Sequence, residues 1–195
     1  MSNQLQTETA GHQPSNDERD QRKRERLAYL RFGAMIATST AVMFALTYTN
    51  AYALDHVRWS EERFYMALLM GAAMAMVMLG FMWSMHTNLK LNAGIILGAL
   101  VLFALALWLS RSQHFVDDQA YMRGMIPHHS IAILTSERAD IDDLRVRELA
   151  DEIIRAQRRE IDEMEWLIED IAQHGEAVTE AEARERPVPD FEASP

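Results

Sequence analysis

The chain has no cysteine among its 195 residues. That absence removes disulfides, thiolate zinc sites, iron–sulfur clusters and thiol nucleophiles together. It also lacks a glycine-rich phosphate loop and a nucleophile elbow, and it has no paired Glu-x-x-His motifs of the kind a carboxylate-bridged di-iron bundle requires. No catalytic residue can be assigned, and the chain reads as a non-enzyme. Nor is there a basic face to neutralise phosphates: the formal net charge is -10, most of it carried after Asp117, so nucleic acid is not an expected partner. Acidic surfaces attract cations instead. With thiolates gone, the soft ligand that remains is methionine, present thirteen times.

Charge is also missing from three long stretches, residues 32–54, 64–85 and 91–110. A helix needs about 20 apolar residues to cross a hydrocarbon core, and in lipid every backbone polar group has to be satisfied within the segment. The three runs therefore predict three membrane-spanning helices. Arg19, Arg22, Lys23, Arg24, Arg26 and Arg31 precede the first run, whereas Arg58 and Arg63 sit in the first loop and Lys90 in the second. This excess of flanking positive charge places the N-terminus in the cytoplasm and everything after Ser110 outside it, at a cell (inner) membrane. Ala51-Tyr52-Ala53 offers an alternative in which the first span is a cleaved signal peptide. The second and third spans would still deliver the C-terminal part to the same side.

The expected organisation is all-α. Residues 1–31 form a disordered basic arm, 32–110 a three-helix transmembrane unit, 111–175 a helical domain, and 176–195 a disordered acidic tail. Within the domain a helix is capped by Asp117 or Asp118 and runs to about Arg138. Asp140 to Asp143 makes a turn and a second cap, and an amphipathic helix follows from Leu144 to His174, stopped by Gly175. Such a hairpin buries little surface alone, so a third helix, the membrane unit or a second copy should cover it.

Chemistry concentrates in Tyr121-Met122-Arg123-Gly124-Met125-Ile126-Pro127-His128-His129. At about 100° per residue, Met122, Met125 and His129 fall within about 60° of one another, with His128 about 60° further round. Pro127 predicts a kink or a helix start just before the histidines. On the second helix Gln157, Glu160 and Met164 share the face that should meet the first, so Met164 could complete a metal site from across the hairpin. Thioether with imidazole suits copper, Cu(I) above all. The competing reading makes the methionines core filler and the histidines caps or satisfied polar groups.

These residues also carry a family likeness. Met125-Ile126-Pro127-His128-His129 with Ala132-Ile133, followed by Gln157, Glu160-Ile161, Met164 and Trp166-Leu167, resembles the domain of unknown function 305 family over roughly residues 114–170. The resemblance implies a helical, ferritin-like or four-helix-bundle-related extracytoplasmic domain. Some members are associated with copper binding and tolerance, and no catalytic activity is established. It puts the family's histidine pair on His128 and His129 and its methionines on Met125 and Met164. The sequence departs from the pattern at Thr135, where many members have a further methionine, and at Ser130, where glutamine is expected.

The second span carries Met66, Met70, Met74, Met78 and Met82 at every fourth residue, with Met76, Met85 and His86 nearby. A thioether ladder for Cu(I) is one reading. A packing stripe is the reading favoured here, because no polar group accompanies it within the span. Asp55, His56, Glu61 and Glu62 in the first outer loop could face the soluble domain, and a solvated loop is the favoured reading. The chain is thus expected to bind a metal ion while anchored in a lipid bilayer, with a homo-oligomer or an envelope protein as a further partner. The alternative is a structural or interaction module without metal.

Overall fold

The computed structural model describes residues 15–191. The chain is all-helical, in the order α1 (Asn16–Leu46), α2 (Glu61–Phe81), α3 (Leu89–Ser112), α4 (Asp118–Arg138), α5 (Leu144–His174) and α6 (Glu180–Glu185), with one 3-10 turn at Trp83–Met85. The first three helices are long and apolar enough to cross a membrane. This is a multi-span membrane protein with a helical domain appended.

Helix α1 begins far earlier than expected. Ser15 and Glu18 form a reciprocal cap in which the Ser15 hydroxyl accepts from the Glu18 amide at 3.3 Å and the Glu18 carboxylate accepts from the Ser15 amide at 3.0 Å. From residue 16 onward the basic arm is therefore helix, continuous with the first span, and not disordered. Its first fourteen residues lie outside the described ones. The same helix ends at Leu46 and not near residue 54. There Thr47 Oγ1 donates to the Phe44 carbonyl at 2.6 Å and Thr49 Oγ1 to that of Leu46 at 2.8 Å. These local bonds occupy the carbonyls that end the helix.

In the membrane unit α2 packs against both α1 and α3. A Cβ on Gly71 would stand 2.5 Å from Thr40 Oγ1, so glycine is what permits α1 and α2 to approach this closely. Helices α1 and α3 do not pack on one another. They are bridged at one end, where Tyr29 Oη donates to Asn92 Oδ1 at 2.6 Å. His86 is buried beside that bridge, its ring 4.7 Å from that of Tyr29 and 5.4 Å from that of Phe32. Asn92 Nδ2 donates to the His86 carbonyl at 2.7 Å. None of the seven methionines around α2 is buried, and Met66 and Met85 are exposed.

Helix α4 starts from the Asp117 cap, whose carboxylate accepts from the Ala120 amide at 2.7 Å. It continues unbroken through Pro127, so the proline marks no helix start. Helix α5 has the expected limits: Asp143 accepts from the Arg145 amide at 2.9 Å, and Gly175 ends the helix at φ 79°. Hydrogen bonds from Arg145 hold the Asp143 carboxyl below its ordinary pKa. The two helices meet through Ile126, Ile133 and Ile161, with Ile154, Met164 and Ile168 packed around them. The tail expected to be disordered is folded in part. Thr179 and Glu182 cap α6 reciprocally, and Arg186 returns to α5, donating to Asp170 at 2.6 Å and to the Gly175 carbonyl at 3.1 Å. Residues 192–195 lie outside the described ones.

Candidate functional site

The five expected metal ligands divide between two sides of α4. Met125 and His128, one helical turn apart, line a cleft of about 480 Å3 between α4 and the region around the start of α2, together with Asn50, Glu61, Glu62, Arg63 and Tyr121. Gly124 faces Ser60 here, and a Cβ at that position would make an ordinary contact with Ser60 Oγ at 3.4 Å. Glu62 is engaged, accepting from Ser110 Oγ at 2.7 Å and from Gln113 Nε2 at 3.0 Å. Glu61 accepts from the Trp59 indole at 3.0 Å.

His129 points the other way, towards α5. Its Nδ1 lies 3.0 Å from Glu160 Oε2, with 14% of the side chain exposed. The contact is close, yet it lacks the alignment of a regular hydrogen bond. Burial pulls the imidazole below its ordinary pKa, Glu160 works against that, and His128 adds a smaller downward push. The neutral ring that results is the form in which histidine ligates metals. Glu160 is in turn held by Gln157, whose Nε2 donates to it at 3.2 Å.

Met164 packs on the isoleucine cluster of the hairpin, and Met122 is buried. These two therefore act as core residues. The expectation that all five donors converge on one ion is not met, because one turn of α4 turns Met125 and His128 to the cleft while His129 faces Glu160. The faces of α4 and α5 expected to meet do meet, at His129 and Glu160. Among the described residues no three His, Asp or Glu side chains converge as a metal group. In the cleft Met125 supplies a thioether and His128 an imidazole, with the Glu61 and Glu62 carboxylates among the same lining residues.

The loop before α2, expected to be solvated, is instead docked on α4. Ser130, fully buried, accepts from the Tyr52 amide at 2.7 Å, and its hydroxyl lies 2.9 Å from His56 Nδ1, to which it can donate. At the rim Arg58 Nη2 meets Glu165 Oε1 at 2.7 Å. These residues tie the domain to the membrane unit. His56 was the one whose facing of the domain the sequence offered as an alternative, and its partners were missed because they are neighbours only in the fold. One signal did exist: Ser130 replaces an expected glutamine, and a longer side chain at this fully buried position would have to displace the loop. At the other departure, Thr135 Oγ1 bonds back to the Ile131 carbonyl at 3.0 Å, an exposed and local role.

Taken together, these features define a three-span membrane protein with a docked helical hairpin that carries a Met-x-x-His pair on its inner face. The family described as "Domain of unknown function (DUF305)" matches residues 118–192. The chain is also similar to "Uncharacterized protein L153" of Acanthamoeba polyphaga mimivirus, 34% identical over 122 residues that cover 62% of this chain and 78% of that protein. That aligned stretch is longer than everything from Asp118 to the C-terminus, so the likeness reaches back into the membrane unit. No solved structure matches. The chain belongs to the domain of unknown function 305 family.

Proposed function

We propose that this protein is a membrane-anchored metal-binding protein that takes up copper, as Cu(I), and acts in copper handling or tolerance by binding and not by catalysis. The observation that carries this reading is the shared cleft of Met125 and His128. A thioether and an imidazole one turn apart suit a soft monovalent ion, and the carboxylates beside them would favour a cation in the cleft. His129 contributes by position, next to His128 and held neutral. Met122 and Met164 support the hairpin without touching the ion. The positive charge ahead of the first span puts the N-terminus in the cytoplasm and this cleft at the extracytoplasmic surface.

The test is a Cu(I) titration of the full chain in detergent, under anaerobic reductant and against a competing chelator. Stoichiometric binding is expected, lost in a Met125→Ala, His128→Ala double variant and retained in Met164→Leu. Binding that is indifferent to the double variant overturns the proposal.

A second reading rests on a different observation. Val146 and Leu149 stand exposed on one face near the start of α5, an apolar surface that suits association with a second copy or an envelope protein. On this reading the chain is an interaction module: its oligomeric state would be the same with and without copper and would fall to the monomer in a Val146→Glu, Leu149→Glu variant.

A further inference from the structure

Because α1 and α3 each pack only on α2, a groove of about 1260 Å3 opens between them. One wall is a single stripe of α1, Arg22, Arg26, Tyr29, Gly33, Ile36 and Thr40, at alternating steps of four and three residues. The stripe continues to Phe44, which makes the groove about 33 Å long at 1.5 Å per residue, as deep as a hydrocarbon core. Its chemistry changes along its length. The mouth has two arginines, with Tyr29 and Asn88 just inside, and below them the walls are apolar apart from Thr40. Neither Arg22 nor Arg26 has an ion-pair partner among the described residues, although Glu25 also lies at the mouth.

We infer that this groove is a site for an anionic phospholipid, whose phosphate is held by Arg22 and Arg26 and whose acyl chain lies along Gly33 on α1 and Ile95 and Gly98 on α3. Guanidinium groups in a fixed fork match phosphate oxygens, and two of them one turn apart on the groove face are placed at the depth of a headgroup. The helical continuation of α1 below the membrane is what puts them there. Both Gly33 and Gly98 have open space where a side chain would project, unlike Gly71, whose missing Cβ permits a helix contact. Gly33 and Gly98 therefore leave space in the groove, whereas Gly71, which also lines it, serves the α1–α2 contact. A second copy is a poorer occupant: inserted in the same orientation, it would bring its own basic segment to the level of Arg22 and Arg26, and the like charges would repel.

The full chain, extracted in a mild non-ionic detergent and reconstituted in nanodiscs of mixed phosphatidylglycerol and phosphatidylcholine, is released and weighed by native mass spectrometry. Expected is a retained phosphatidylglycerol in preference to phosphatidylcholine. That preference should fall about fivefold for Arg22→Gln or Arg26→Gln and about thirtyfold for both, the scale expected of basic residues at an anionic surface. A Gly33→Leu variant, which fills open space on a helix that tolerates leucine, should lose the retained lipid while its helical circular dichroism is unchanged. Equal retention of the two lipids, headgroup preference unaltered in the double arginine variant, or lipid retained in Gly33→Leu would each overturn the inference. So would a lipid-free dimer that Gly33→Leu dissociates, which would give the groove to a second copy.

Discussion

The two sides of α4 are built on different chemistry. Towards α5 the contact is aliphatic, with Ile126 and Ile133 fully or almost fully buried against Ile161 and flanked by Met164. Towards the membrane unit it is polar: a serine hydroxyl shared by Tyr52 and His56, an arginine–glutamate pair at the rim, and a cleft that holds Met125 and His128. Apolar burial is strong and undirected, so it holds the hairpin together without specifying what it docks to. Hydrogen bonds are weaker in net terms but costly to break once buried, so they fix the loop on one register of α4.

That contrast can be broken most forcefully at Ile133. Ile133→Ala should destabilise the hairpin by about 2–5 kcal/mol, the cost of removing buried aliphatic volume from a packed site, read as loss of helical signal and new proteolytic cleavage within α4 and α5 while the membrane helices persist. A cost no larger than that of a surface substitution would mean the hairpin is held by the membrane unit instead. Next in size is Ser130→Ala, which leaves the Tyr52 amide and His56 Nδ1 without their partner at a cost of about 1–3 kcal/mol. Its signature is local. Hydrogen exchange should rise across residues 51–57 with the α4–α5 contact unchanged, and if protection in that loop is unaltered Ser130 is not its anchor.

What could be read from the sequence follows from how far apart the determining residues are. The limits of α5 were legible because Asp143 and Gly175 signal them locally, and the three spans because lipid demands long uncharged runs. The end of α1 was not, since Thr47 and Thr49 carry no charge and look compatible with a span until their hydroxyls turn to the helix carbonyls. Its beginning was written in Ser15 and Glu18, a cap with the usual three-residue spacing, but the polar composition around it pointed to disorder. At the candidate site the helical spacing grouped Met122, Met125 and His129 on one face, whereas the structure pairs Met125 with His128 at the cleft and turns His129 to Glu160. The polarity of the docking did not follow from spacing at all: His56 and Ser130 are 74 residues apart, and no periodicity connects a loop to a helix that far along the chain. The basic residues of α1 were identified as a topology signal, whereas their alignment with the groove depends on the helix extending beneath them.

The finest difference between the two sides lies in adjacent histidines. His128 lines the open cleft, whereas His129 is lowered in pKa chiefly by burial against α5, with Glu160 opposing the shift and His128 reinforcing it. In the unfolded chain this imidazole returns to about 6.5. As pH falls through that value the unfolded state takes up a proton that the folded state still refuses, so stability declines, and the decline levels off only once pH is below the folded pKa. Above 6.5 there is no such penalty. A His129→Asn variant should lose this component of the acid-side slope. Glu160→Gln should deepen it, because the one influence that favours the charged ring is gone. A titration of the His129 ring by NMR gives the direct answer: a midpoint at or above 6.5 would show that the Glu160 carboxylate outweighs burial and that the α5-facing histidine is a charged pair, not a neutral donor.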